Sequence, residues 1–290
     1  MAVYSINNSF LEVKVNSFGA ELNSLLTSDG NELLWQASKD IWPRFAPVLF
    51  PIVGRLKNGC TEYNGNNYVL SQHGFARDKE FVLIEQSNSC LKFELTADET
   101  SLELFPFHFS LIIAYTLTDN TLNVSYKIFN PDNKELLFSI GAHPGFSTTR
   151  FSDENIHDYY LEIDGLTRLT AERLQDGLLS GSTYNIDLDR GVLPLSVELF
   201  NNDALVFKNN QINSIRLKSK KSKNVIELIC KDWPYFGIWT KKGCDKFVCL
   251  EPWYGVTDSL QATGKLKEKE GVIVVPKISS KNVNYTIRVT

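Results

Sequence analysis

The chain has 290 residues, is 43% hydrophobic and 22% charged, and carries a formal net charge of -4. That length covers one large domain or two ordinary ones, and the composition excludes a disordered chain. The acidic balance, with a pI near 5.7, argues against a nucleic-acid partner, whose phosphates select a basic face.

From the N-terminus, "MAVYSINNSFLEV" shows neither a basic leader nor an apolar signal core. No apolar run approaches the roughly 18 residues of a bilayer span, so the expectation is a cytoplasmic protein with no membrane partner. Period-two alternation of β-branched and aromatic residues then predicts strands at "FLEVKV" (10–15), "NYVL" (67–70), "EFVLIEQ" (80–86), "CLKFELT" (90–96), "FHFSLIIAYTLT" (107–118) and "TLNVSYKIFN" (121–130). The pattern resumes at "YYLEID" (159–164), "SIRLKS" (214–219), "NVIELIC" (224–230), "FGIWT" (236–240) and "VNYTIRVT" (283–290). Turn signals such as "SDGNE", "NGNN", "NPDN" and "KKGCDK" separate the runs.

No window holds an apolar stripe at helical spacing, and no Gly-rich loop precedes a helix, which excludes a nucleotide-binding βαβ unit. The chain reads as all-β, with few short helices: one large antiparallel sandwich over residues 1–290, as no linker or composition break divides it. The basic cluster "RLKSKKSK" (216–223) reads as a solvated hairpin turn between apolar runs. Five cysteines without a CxxC pair read as free thiols of a reducing compartment.

Titratable side chains gain chemical meaning where a strand ends beside small residues and aromatics, and four places qualify. They are "FPIVGRLKNG" with Arg55, "HGFARD" with His73 and Arg77, "SIGAHPGF" with His143, and "FVCLEPWYGVTD" with Glu251. Glycine and proline around His143 hold it rigidly. A carboxylate arriving at the end of an apolar run, as Glu251 does, is partly desolvated, which raises its pKa toward the value a general base needs near neutrality. Taken singly, each residue reads equally as structural: a histidine in a turn, a strand-end glutamate, an arginine in a salt bridge. The His and Glu positions lie far apart, with no HxH or HExxH pair, so no metal site is expected. Among the five tryptophans, Trp253 is the one placed to reach a cleft with its ring, two residues after Glu251.

"HGFAR", "AHPGF" and "LEPWYG", in that order, with "FGAELNSLLTSDGNELLW", "FPFHFSLIIAYTL", "LNVSYKIFN", "DALVFK" and "PYFGIWT", resemble the aldose 1-epimerase (galactose mutarotase-like) family, especially its bacterial LacX-like branch. The likeness spans nearly the whole chain. It implies a large antiparallel β-supersandwich, a sugar on its open face, and a cofactor-independent isomerase that interconverts α and β anomers. By motif, His143 falls on the family's general acid and Glu251 on its base. His73 falls on a second sugar-facing histidine, Arg55 on an arginine that contacts sugar hydroxyls, and Asp203 of "NDALVF" on a substrate-binding aspartate.

The chain departs from galactose mutarotases proper, which carry "LHGG" and "NHTYF" at the histidine sites and Thr-Gln after the glutamate. The acid and base match while the groups that read individual hydroxyls do not. The expected partner is therefore a small-molecule sugar, an aldohexose or a hexose phosphate, bound by a monomer or a homodimer. "HGFAR" also occurs in the hexose-6-phosphate epimerase branch, where Arg77 is the natural phosphate contact; the bland alternative pairs Arg77 with Asp78. A carbohydrate-binding protein without turnover is the alternative from another class.

Overall fold

The computed structural model describes residues 2–150 and 153–290. Two large antiparallel sheets carry the fold. The first has nine strands in the spatial order Val192–Pro194, Tyr159–Glu162, Ser214–Ser219, Val225–Ile229, Ser279–Val289, Thr121–Asn130, Ser110–Thr118, Cys90–Thr96 and Val82–Gln86. The chain's last strand lies near the middle of this sheet, with Leu122 opposite Ile287 on one side and Ile226 opposite Val289 on the other.

The second sheet runs Leu178–Asp187, Arg168–Gln175, Leu205–Phe207, Tyr235–Trp239, Phe247–Tyr254, Ile140–Ala142 and Val48–Leu49, with Gly145–Ser147 also paired to Phe247–Tyr254. A continuous apolar cluster joins the sheets, taking Leu217, Ile226 and Ile287 from the first and Phe236, Ile238, Val248 and Leu250 from the second. The alternation therefore resolves into an all-β architecture, as the sequence predicts. Among the described residues the one α-helix is Glu99–Leu104, capped by Asp98, which accepts from the Ser101 N–H. No described helix is long and apolar enough to cross a membrane.

Two local readings change. "RLKSKKSK" is half strand: Arg216 and Lys218 lie in Ser214–Ser219 and pair with Glu162, so only its second half turns. The hairpin Arg168–Gln175 with Leu178–Asp187 has no counterpart among the expected strands. Its outer strand is largely exposed and short of apolar residues, so the alternation is muted.

Period two in Phe247–Tyr254 decides where chemistry can sit. Val248 and Leu250 enter the core, which turns Phe247, Cys249, Glu251 and Trp253 to the sheet's other face. There two smaller apolar groups flank Glu251: Trp253 with Leu49, Val53 and Val206 on one side, Cys249 with Phe247 and Trp239 on the other.

Candidate active site

Glu251 sits in mid-sheet, directly opposite Gly237, and Trp253 sits opposite Gly141. The Trp253 ring lies across both glycines: a Cβ at Gly237 would meet it at 2.3 Å and one at Gly141 at 2.6 Å. These two glycines are what allow a large flat ring on this face. Glu251 is 1% exposed, and burial drives its carboxyl well above the usual carboxylate range; the Trp253 indole pulls the other way and the Asp203 charge adds to the rise.

His143 lies between Ile140–Ala142 and Gly145–Ser147, two short strands that both pair with Phe247–Tyr254. The loop is pinned because Pro144 O accepts from the Leu250 N–H and Gly145 N–H donates to Phe45 O. Its Nε2 stands 3.2 Å from Glu251 Oε2. Trp42 and Trp239 enclose the imidazole, with ring centroids 5.0 and 5.6 Å away. Burial pushes the His143 pKa down to about 3; its own backbone carbonyl opposes this, while the Arg77 and Arg44 charges reinforce it. Imidazole and carboxyl are thus both held toward their neutral forms, a pair with one proton to share across a short contact.

"QHGF" turns sharply. His73 and Gly74 are both left-handed, at φ 67° and 71°, and a Cβ on Gly74 would strike Phe50 O at 2.3 Å. This brings the His73 ring edge-on to His143, with centroids 5.6 Å apart. His73 Nδ1 accepts from the Gly54 N–H at 3.1 Å, so in the neutral ring Nε2 carries the proton. Burial first, then the neighbouring His143 titration and the charges on Arg77, Arg44 and Arg55, pushes its pKa well below the ordinary histidine value. Gln72 Nε2 lies 3.2 Å from that same Nε2, while Gln72 Oε1 accepts from Arg55 Nε at 3.1 Å, which fixes the amide. With His73 Nδ1 and Gln72 Oε1 occupied, the two facing nitrogens are both N–H donors.

Arg55 follows a left-handed Gly54, whose Cβ would fall 2.4 Å from the Thr257 side chain. Thr257 Oγ1 accepts from the Arg55 N–H, and the Arg55 carbonyl accepts from the Asp258 N–H. Below them the buried Lys269 donates to Asp258 Oδ1 and to Val256 O, both at 2.7 Å, anchoring the loop from beneath. The Arg77 guanidinium, mostly buried and lowered to about 10 by that burial, lies 3.8 Å from Asp78, whose carboxylate is 2.8 Å from Arg44 instead. Arg77 Nη2 donates to Gln72 O at 2.6 Å. Asp203, left-handed at φ 80°, accepts the Ala204 N–H on its own carboxylate.

One cavity of about 360 Å³ has His73, His143, Glu251, Arg55, Arg77, Asp203 and Trp253 all in its wall. Trp253 is only 6% exposed, so it contributes a ring edge to the cavity and most of its area to packing. Trp42, Trp239, Gln72 and Thr257 join the same wall and were not singled out from sequence. Trp239 had a usable signal, since it alternates with Gly237 on the face of Glu251; Trp42 lies in irregular chain and gave none. His108 and His157 lie elsewhere on the surface, the former 3.1 Å from Asp132.

His143, Cys249 and Glu251 bring donor atoms within 4.8 Å of one another. Burial raises both the Cys249 thiol and the Glu251 carboxyl above their ordinary pKa values.

Two large antiparallel sheets around one apolar cluster make a galactose mutarotase-like all-β fold. The aldose 1-epimerase family model matches residues 2–271, and the chain belongs to that family. It is 28% identical to the chromosomal protein LacX of Lactococcus lactis subsp. lactis over 98% of each chain. A galactose mutarotase related enzyme from Lactobacillus acidophilus superposes with a TM-score of 0.95 at 32% identity, over 100% of this chain and 97% of that one. A galactose mutarotase-like protein from Lactobacillus casei gives 0.92 at 29% identity, over the whole of both chains.

Proposed function

We propose that this protein is an aldose 1-epimerase that interconverts the α and β anomers of a hexose, with His143 as general acid and Glu251 as general base. The observation that carries this is the buried 3.2 Å contact between His143 Nε2 and Glu251 Oε2 in the wall of a cavity of about 360 Å³, a size within the range of small-ligand pockets. Moving the shared proton from carboxyl to imidazole gives a carboxylate and an imidazolium. The carboxylate takes the proton of the anomeric hydroxyl while the imidazolium protonates the ring oxygen; the bond between C1 and the ring oxygen breaks and an open-chain aldehyde forms. Rotation about the C1–C2 bond and closure with the roles reversed returns the other anomer and restores both residues. In this reading the His73 Nε2–H and the Gln72 amide donate to a sugar oxygen, and Arg55 and Asp203, in the same cavity wall, hold hydroxyls. Only protons move, so the reaction calls for no cofactor.

A second reading, a hexose 6-phosphate as substrate, is favoured by Arg77. Arg44 takes the near contact with Asp78, which leaves the Arg77 charge beside the cavity only loosely paired. Anomer exchange measured by NMR on glucose, galactose and their 6-phosphates tests both readings. Exchange above the uncatalysed rate is expected with at least one sugar, and none with any of the four overturns the assignment. A selective loss on the 6-phosphates in Arg77→Ala identifies the phosphate contact; an equal loss on free sugars removes it.

A further inference from the structure

Two contacts between titratable side chains of opposite sign have both members less than a tenth exposed: His143 with Glu251, and Lys269 with Asp258. Neither Lys269 nor Asp258 lines the cavity that holds the first pair. What the second pair holds is backbone. Asp258 Oδ2 accepts the Lys57 N–H at 2.9 Å while Oδ1 takes Lys269; its own N–H donates to Arg55 O, and its carbonyl accepts from the Leu179 N–H. Thr257, one residue earlier, accepts the Arg55 N–H on Oγ1 and donates to Gly177 O at 2.7 Å. One short segment thus ties the N–H and the carbonyl of Arg55 together with the turn at Asp176 and Gly177. The Arg55 stem lies against that turn, where a Cβ on Gly177 would fall 3.1 Å from Arg55 Cδ.

We propose that Lys269 is a positioning residue for substrate binding: through Asp258 it fixes where Arg55 meets the sugar, without touching the sugar itself. The inference rests on the mutarotase reading, which makes Arg55 a hydroxyl contact. An arginine as exposed as Arg55 spreads over many rotamers unless it is tied. Here its Nε is bonded to Gln72, and its backbone to Thr257 and Asp258. Behind them the Lys269 ammonium bonds Asp258 and Val256 O together, so it braces the segment from both ends. A buried ion pair adds little net stability over apolar packing of the same volume, because desolvating two charges offsets their attraction. Geometry is what the pair supplies.

The test measures exchange kinetics and, independently of turnover, calorimetric binding, with whichever of glucose, galactose and their 6-phosphates the wild type binds most tightly. Lys269→Met and Lys269→Ala should each raise KM and Kd about 10-fold, the scale of one lost hydrogen bond to a charged group. Turnover at saturation should stay within about 3-fold of wild type, since His143 and Glu251 are untouched. Added to Arg55→Ala, neither substitution should weaken binding further, because both act through one contact. n-Propylamine should restore binding to Lys269→Ala, replacing the deleted atoms from a cavity of about 260 Å³ that Lys269, Asp258, Glu268 and Glu270 line. Tetramethylammonium, which has no N–H, should not. If loss of the charge unfolds the chain, Lys269→Gln, which keeps an N–H toward Asp258, carries the same comparison. Losses that add to those of Arg55→Ala, a fall in kcat with KM unchanged, or an amine that raises the melting temperature without restoring binding overturn the positioning role. Coupled losses of binding without exchange of any sugar keep it and sink the catalytic reading instead.

Discussion

His73 concentrates three constraints on one side chain: a left-handed backbone, an Nδ1 that must accept the Gly54 N–H, and near-complete burial. The motif singled it out, and the fold puts it in the cavity wall with His143 and Glu251. Its tautomer and neutrality were not legible, because both depend on Gly54 and on arginines that only the fold brings near. These constraints have a pH signature. His73 and His143 have folded pKa values below their ordinary 6.5, so the stability gained by burying each neutral ring is full above that pH and lost as pH falls below it. Each loss approaches about 1.4 kcal/mol per pH unit. Glu251 works the other way, since its raised folded pKa means stability falls as pH rises above 4.5. From pH 6.5 to 5 the three groups leave a net loss of about one histidine on acidification. Urea midpoints of His73→Asn should therefore fall less than those of the wild type over this range; an equal fall contradicts the neutral assignment.

At the scale of elements, the strand Phe247–Tyr254 does the organising. Its alternation could be read from sequence, but Glu251, read as a strand-end carboxylate, lies in mid-strand, because Pro252 and Trp253 continue the pairing with Phe236 and Tyr235. The glycines opposite it could not be interpreted, since nothing local says that Gly237 and Gly141 lie under Trp253. Gly237→Ala drives a methyl into that ring from 2.3 Å and should cost about 1–3 kcal/mol as overpacking. Thermal melts should show the drop, and Trp253→Leu in the same chain should recover part of it; an unshifted melt rejects the packing described. The hairpin that sequence reading passed over had one overlooked signal, Asp176-Gly177 in "LQDGLL". Both residues are left-handed, at φ 53° and 76°, as a two-residue turn between twisted antiparallel strands requires. Polar residues on the outer strand of that turn hid the pairing.

Over the whole molecule, two sheets sharing one apolar cluster leave the outer face of the second sheet free for a site. Residues from five separated stretches meet there: "GRLKNG", "QHGFAR", "AHPGF", "NDAL" and "LEPW". The resemblance anticipated this convergence, whereas composition and periodicity alone gave only the sheets. What the fold adds is desolvation. Apolar groups on either side press both His143 and Glu251 toward neutrality, which under the proposed mechanism leaves the proton for ring opening between them.

The most direct measurement of that claim is α/β exchange of a hexose by saturation-transfer NMR, using wild type, His143→Asn, Glu251→Gln and the double variant, each checked for an intact fold by circular dichroism. Each single substitution should lower the exchange rate by about 10²- to 10⁴-fold. The double variant should be little worse than the poorer single one, because two groups that share one proton act as a unit. A folded single variant that exchanges the sugar at the wild-type rate would contradict the acid/base pair on which the account rests.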